Sequence, residues 1–148
     1  MGGYTTGKKE IIEMLRQRSR PYLFSNSLAP SIVGASIKVF EILGRDQSLK
    51  QKLDENTAYF KKGMKQAGFD IIDGDSAIVP VMLYDAKLAQ KMAARLLEKG
   101  IYVIGFFYPV VPQGKARIRV QLSAAHEREH LDKALAAFRE VGADLGVL

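Results

Sequence analysis

The sequence predicts an α/β fold in which helices cover one face of a small antiparallel or mixed sheet. The chain has 148 residues, and a segment over residues 115–126 alternates between apolar and polar side chains, which is typical of a half-buried strand. From Phe69 onward the apolar segments read strand, strand, helix, strand, strand, helix. Helices with a single apolar stripe pack as a layer against a sheet, so this order favours a two-layer arrangement.

The first 45 residues are expected to hold two helices. Thr6 can cap a helix over about residues 7–18, whose inward positions would be Ile11, Ile12 and Leu15. Pro30 suits the first turn of a second helix, which we expect to run to Leu43 and to stop at Gly44. The second helix is apolar nearly all round, so the sequence predicts that it is buried on more than one side. We expect its cover to come from a partner or from protein outside this chain.

A small α/β layer is predicted from residue 46 onward. It starts with a long charged helix that ends at Gly68 and carries one apolar stripe, formed by Leu49, Leu53, Phe60, Met64 and Ala67. Strands are predicted over residues 69–72 and 77–84, and Pro80 indicates that the second strand lies at a sheet edge. Asp85 caps the next helix, which is closed by Gly100 and turns Leu88, Met92 and Leu96 inward.

The remaining elements surround the alternating segment. A strand over residues 101–105 leads into an apolar loop over residues 106–112, and the alternating strand follows. A final helix from about Glu127 presents an apolar stripe of Leu131, Leu135, Phe138 and Leu145. The sheet therefore has helices before, between and after its strands.

Composition and charge are those of an ordinary globular protein. The chain is 47% hydrophobic and 26% charged and has no cysteine, which excludes disulfides and thiolate metal sites and fits a reducing compartment. No apolar stretch has the length of a membrane span and the amino terminus lacks a secretory apolar core, so we expect a cytoplasmic protein without a membrane partner. A net charge of +6 leaves an RNA-binding domain as an alternative. Because the basic residues mostly alternate with acids along helices, no nucleic-acid partner is expected.

The alternating strand carries the most informative side chains. Ile118, Val120 and Leu122 share one face, and Arg117, Arg119 and Gln121 share the other. A guanidinium group can grip a carboxylate or phosphate with two parallel hydrogen bonds, and a strand holds such a group firmly. The alternative is a half-solvated strand whose outer face is basic without a ligand.

Two loops offer further candidates for ligand binding. Ser25 and Asn26 lie just before the apolar helix, where hydroxyl, amide and backbone N–H groups could cradle a phosphate. The local sequence alone favours the alternative, in which Ser27 or its neighbours cap that helix. The aromatic loop over residues 106–109 could line a ligand pocket or could plug a core.

No set of residues for catalysis or metal binding is visible. His126 and His130 stand four residues apart, but the third ligand and the glutamate placement of a zinc motif are missing, so no metal site is predicted. No nucleophile has a partner base. Anion recognition without catalytic groups is typical of part of a cofactor-dependent enzyme.

Long motifs in order along the whole chain resemble one enzyme family. They are Gly2-Gly3-Tyr4, the run over residues 17–30, the run over residues 105–112 and the run over residues 116–126. These motifs are similar to those of the α-oxoamine synthases, pyridoxal-phosphate enzymes of fold type I, the aspartate-aminotransferase-like fold. The Tyr-Leu-Phe-Ser-Asn run over residues 22–26 and the two-phenylalanine loop favour the member that acetylates glycine over the aminolaevulinate and amino-oxononanoate synthases.

The resemblance implies a reaction, a cofactor and site residues. In the family member that it favours, glycine and acetyl-CoA give 2-amino-3-oxobutyrate and CoA, as part of threonine and glycine metabolism, with pyridoxal 5'-phosphate as cofactor. Arg119 resembles the arginine that binds the carboxylate of the amino acid, and Arg117 is interpreted as supporting it. Ser25 and Asn26 resemble the pair that reaches the cofactor phosphate of the neighbouring subunit, which implies a homodimer with a shared cofactor site.

The resemblance also implies that much of the active site lies outside this chain. The family's Schiff-base lysine comes shortly before the Gly-Gly-Tyr run, and none of Lys8, Lys9 and Lys115 matches its motif. We therefore predict no catalytic residue here and expect the chain alone to be inactive. Residues 1–45 would close the large cofactor-binding domain, and residues 46–148 would form the small carboxyl-terminal domain. A stand-alone module that binds a small anion without catalysis is the alternative.

Overall fold

The computed structural model describes residues 3–24 and 27–148. The chain divides into two compact units, Met1–Gln47 and Ser48–Leu148. Among the described residues, no helix combines the length and the apolar character that crossing a membrane requires.

The first unit is helical. It contains α1 over Lys9–Arg18, α2 over Arg20–Leu23 and α3 over Pro30–Arg45. The predicted cap of α1 is wrong, because the helix begins after Lys8, whose side chain makes no capping hydrogen bond. Helix α2 was not predicted. Its proline lies in the first turn, where the backbone N–H has no partner within the helix, so a proline costs no hydrogen bond there. Helix α3 passes through Gly44 and ends one residue later, since a glycine can occupy a helix as well as terminate it.

Within this chain α3 is not covered, and the predicted burial by a partner or by protein outside the chain stays a prediction. None of the residues of α1, α2 or α3 is buried, and Ile37 and Phe40 each remain 55% exposed. The inward positions expected in α1 are not buried either, since Ile11 is 55% and Leu15 39% exposed. The reason is that three helices with apolar residues on several sides have too little surface among themselves to cover them.

The second unit is a three-stranded sheet with three helices. Its elements are α4 over Ser48–Gln66, β1 over Ile78–Tyr84, α5 over Ala86–Glu98, β2 over Ile104–Phe106, β3 over Ala116–Gln121 and α6 over Arg128–Asp144. The strand order is β1-β3-β2, and both pairings are antiparallel. The element types and their order match the prediction except for one strand.

The strand predicted over residues 69–72 is wrong. Only Ile71 forms an isolated bridge, with Val81 of β1. The segment beside β1 makes two backbone hydrogen bonds, from the Met82 N–H to the Asp70 carbonyl (2.8 Å) and from the Ile72 N–H to the Pro80 carbonyl (3.1 Å). Pro80 has no N–H to donate, and β1 is an edge strand of the sheet, as its proline predicts.

The inner face of the sheet packs on α4, α5 and α6. Its strand residues include the cross-strand pairs Val79 with Val120 and Val81 with Ile118. Phe138 packs edge to face on Phe60 and Phe69, with ring centroids 6.2 and 5.8 Å apart. Among the described residues, the buried hydrophobic cluster lies entirely within the second unit.

Strand β2 begins three residues later than predicted and ends one residue later, over Ile104–Phe106 rather than 101–105. A Cβ on Gly105 would lie 3.2 Å from the carbonyl oxygen of Ala89 in α5. The absence of a side chain therefore lets β2 approach α5 closely. Asp85 caps α5 as predicted, because its carboxylate accepts a hydrogen bond from the Leu88 N–H at 2.7 Å.

Candidate anion-binding site

The outer face of β3 carries the basic side chains that the alternation predicts. Burial along β3 alternates, with Ala116, Ile118 and Val120 buried and the residues between them outward. Arg117 lies opposite Met82 of β1 and Phe106 of β2, and Arg119 lies opposite Pro80 and Ile104. As the central strand, β3 holds both arginines between two neighbours. Their backbone positions are therefore fixed by hydrogen bonds on both sides.

The guanidinium group of Arg119 is exposed and lies over an aromatic ring. Its Cζ is 5.1 Å from the centroid of Phe106, a cation–π distance that restrains the guanidinium without neutralising its charge. Among residues 3–24 and 27–148, no carboxylate forms an ion pair with Arg119. The charge is thus available to a ligand.

Arg117 lies deeper in the same face. The residue is partly buried, and its Nε is fully buried without a hydrogen-bond partner in the described part of the chain. A buried guanidinium N–H without an acceptor is costly, so such a group marks a place where a partner is expected.

Two cavities open on this face and share Arg119 and Phe106. One has a volume of about 270 Å³ and is lined by Pro80, Phe106, Val110, Val111, Arg117 and Arg119. The other has a volume of about 360 Å³, and its polar lining comes from Tyr102, Arg119, Gln121, Ser123 and His126. No lysine lines either cavity. The site can therefore bind an anion but cannot supply the amine that a Schiff base requires.

The aromatic loop both lines a cavity and packs against the core, the two roles that the sequence left open. Phe106 is outward beside Arg119 and lines both cavities. The next residue, Phe107, packs against the core, and Tyr108 is 62% exposed. Consecutive residues of an extended segment point to opposite sides, which explains the division. The contributions of Val110, Val111 and Pro80 to the first cavity were not foreseen, because nothing local distinguishes them from core residues.

The two histidines hold the start of α6. Nδ1 of His126 accepts a hydrogen bond from the Ser123 N–H at 3.3 Å, and Nδ1 of His130 accepts one from the Glu127 N–H at 3.0 Å. The carboxylate of Glu127 accepts in return from the backbone N–H of His130, which completes a capping box. His126 also lines the second cavity, a position that its sequence spacing did not predict.

The predicted phosphate-binding pair, Ser25 and Asn26, lies outside the described residues. The flanking residues Tyr22 and Ser27 line a groove of about 560 Å³ within the first unit, together with Arg16 and Ser19. The role expected for Ser25 and Asn26 stays a prediction.

Comparisons with known proteins define the family. A family model described as aminotransferase class I and II matches residues 1–138. The chain is 56% identical over 147 residues to the 2-amino-3-ketobutyrate coenzyme A ligase of Escherichia coli strain K12, covering 99% of this chain and 37% of that protein. It is 47% identical over 148 residues to the 8-amino-7-oxononanoate synthase of Thermosipho melanesiensis, covering 100% of this chain and 38% of that protein.

The structural comparison agrees with the family model. A serine palmitoyltransferase from S. paucimobilis with a bound PLP–myriocin aldimine matches with a TM-score of 0.82 and 32% identity, over 92% of this chain and 35% of that one. The chain belongs to the aminotransferase class I and II family, and the fold class expected from its motifs is confirmed. It spans a little over a third of the length of the curated relatives that it matches.

Proposed function

We propose that this chain is the carboxyl-terminal part of a pyridoxal-phosphate-dependent acyltransferase that condenses glycine with acetyl-CoA to 2-amino-3-oxobutyrate and CoA. The observation that carries the proposal is Arg119, an unpaired guanidinium held on a rigid strand over Phe106 at the mouth of two cavities. The identity of 56% to a 2-amino-3-ketobutyrate coenzyme A ligase supports this choice of reaction within the family.

In this proposal Arg119 binds the carboxylate of glycine. Its fork of N–H donors matches the two oxygens of a carboxylate, and the central strand fixes where that carboxylate lies. The rest of the amino acid is then oriented by a fixed anchor, which lowers the entropic part of the reaction barrier. Apolar side chains beside the two arginines form part of the wall of the smaller cavity.

The donor set of the outer face fits the amino acid rather than the ring of the cofactor. Two guanidinium groups suit an anion, and no lysine lines the cavities. The resemblance to the α-oxoamine synthases implies that the lysine which attaches the cofactor lies outside this chain. Ser25 and Asn26 would reach the cofactor phosphate of the other subunit in a homodimer. When bound, pyridoxal phosphate supplies the electron sink that stabilises negative charge on the α-carbon of the amino acid.

The proposal includes the cellular compartment of the reaction and the metabolism to which it belongs. The absence of cysteine supports a reducing compartment such as the cytoplasm. The relation to 2-amino-3-ketobutyrate coenzyme A ligases supports a place in threonine and glycine metabolism.

Release of free thiol that depends on both glycine and acetyl-CoA tests the proposal. The full-length polypeptide that contains this sequence should release CoA with both substrates and not with either alone. The 148-residue chain, assayed with added pyridoxal phosphate, should give no turnover. Failure of the full-length protein with glycine and acetyl-CoA, together with activity on another amino acid or a longer acyl-CoA, would assign it to a different member of the family. Turnover by the 148-residue chain would contradict the placement of the catalytic lysine outside it.

A further inference from the structure

Arg117 is the one group of the outer face whose surroundings are not explained by a contact within the described chain. Its Nε is buried and has no acceptor, although the side chain is partly covered by its neighbours. An unpaired buried N–H of a charged group is strongly unfavourable. An anion that contacts the remaining N–H groups of this guanidinium would stabilise its charge.

The position of Arg117 beside Arg119 indicates that the ligand is an anion. The two residues are two apart on one face of β3, so their Cα atoms are about 7 Å apart. Both guanidinium groups line the cavity of about 270 Å³, and no described carboxylate is paired with either. Two like charges this close repel each other, and an anion bound between them removes the repulsion.

The cavity itself indicates a small anion. Its other lining residues are Pro80, Phe106, Val110 and Val111, which add no polar side chain. Its volume suits a small amino acid and is too small for the nucleotide part of CoA. The two arginines are therefore the polar side chains of this cavity that can contact a carboxylate.

We propose that Arg117 is a second carboxylate-binding residue, which holds the glycine carboxylate from the buried side of the cavity while Arg119 holds it from the exposed side. This inference rests on the proposed function. The terminal N–H groups of Arg117 would donate to the carboxylate oxygens, while Nε stays covered by its neighbours. Arg117 thereby adds to amino-acid affinity and is not required for attachment of the cofactor.

The test is a glycine titration of the full-length enzyme loaded with pyridoxal phosphate, followed by the change in the absorption spectrum of the cofactor. Arg117→Met keeps the length of the apolar stem and removes the donors. We expect its glycine dissociation constant to rise about tenfold or more, with cofactor content and the KM for acetyl-CoA within about twofold of the parent. Arg117→Lys keeps the positive charge but not the forked guanidinium donors. Its glycine dissociation constant should lie between those of the parent and of Arg117→Met. Arg139→Met, which removes an exposed arginine of α6, is the matched control and should not change glycine binding.

A second measurement does not depend on the folding of Arg117→Met. In the full-length enzyme with ¹⁵Nε-labelled arginine, the Nε–H resonance that disappears in Arg117→Lys should shift when glycine is added. No shift, or an unchanged glycine dissociation constant in folded Arg117→Met, would overturn the inference while leaving the proposed function intact. If Arg117→Met loses cofactor or folded protein and the resonance is insensitive to glycine, Arg117 pairs with another segment of the polypeptide. If the parent enzyme does not bind glycine at all, the proposed function and this inference both fail.

Discussion

The guanidinium of Arg119 lies 5.1 Å from the centroid of the Phe106 ring, across the β2–β3 pairing. The ring belongs to the strand that leads into the aromatic loop, and the arginine belongs to the central strand. Phe106 therefore restrains the side chain that the proposed reaction requires, without neutralising it.

Replacing Arg119 by alanine in the full-length enzyme should weaken glycine binding selectively. Loss of a charge-assisted, two-point contact costs about 1.5–3 kcal/mol, which corresponds to a dissociation constant about 10- to 150-fold higher. A spectral titration with glycine measures the change, and the KM for acetyl-CoA should move far less. Lys115→Ala removes a positive charge from the residue just before β3 and serves as control. An Arg119→Ala enzyme with the glycine saturation curve of the parent would exclude Arg119 from the site.

Asn56 of α4 fixes the loop that connects β3 to α6. Its side chain is only 4% exposed, and Nδ2 donates to the carbonyls of Ser123 at 3.2 Å and His126 at 2.8 Å. Asn56→Ala should destabilise the second unit by about 1–3 kcal/mol, because two partly buried carbonyls lose their donor. Urea unfolding of residues 48–148, followed by far-UV circular dichroism, gives the value. Glu55→Ala, at an exposed position of the same helix, should change stability by much less; equal losses would count against this role of Asn56.

Gly142 of α6 has no room for a side chain. A Cβ there would lie 2.7 Å from Cζ of Phe69, a ring that is 4% exposed. Gly142→Ala gains about 1 kcal/mol of helix propensity and loses about 1–3 kcal/mol through overpacking, so we expect a net loss of about 1 kcal/mol. The urea midpoint of residues 48–148 measures the balance. In a Phe69→Leu background the same substitution should be neutral or stabilising, and a stabilised single variant would contradict the steric explanation.

The ion pair between Lys52 and Glu127 should make stability depend on acidic pH. Nζ of Lys52 donates to Glu127 at 2.6 Å, and this hydrogen bond is the main reason that the pKa of Glu127 lies below its ordinary value. A carboxyl group whose pKa is lower in the folded state favours folding above its unfolded pKa of about 4.3, and this contribution is lost as the pH falls through the lowered folded value.

Glu127→Gln tests that dependence. The difference in urea midpoint between residues 48–148 and this variant should be greatest near neutral pH, and its ionic part should disappear in acid. The effect should be modest and should shrink at high salt, because both side chains are partly exposed. Lys52→Met should show the same pH dependence of its difference. A difference in urea midpoint that grows as the pH is lowered would contradict a stabilising ion pair between Lys52 and Glu127.

Local sequence patterns predicted the elements whose signals are periodic or lie at helix ends. The alternation of β3, the Asp85 cap of α5 and the start of α6 after Glu127 all agree with the structure. The prediction of a strand over residues 69–72 failed because a short apolar segment does not show whether neighbouring backbone is available for pairing. Within that segment only Ile71 pairs, in an isolated bridge. The apolar surface of α3 predicted that the helix needs a cover but not which element supplies it, and none of the described residues does.

By itself the sequence determined the family, the order of the elements of the second unit except for one strand, and the outward placement of Arg117 and Arg119, because backbone periodicity and long motifs are local properties of a chain. Only the tertiary structure decided that Phe106 lies under Arg119, that Nε of Arg117 is buried without an acceptor among the described residues, and that Asn56 secures the loop after β3. These relationships join residues that are distant in sequence or belong to different strands. They depend on strand register and on the packing of helices against the sheet, and neither can be predicted from a single segment of the sequence.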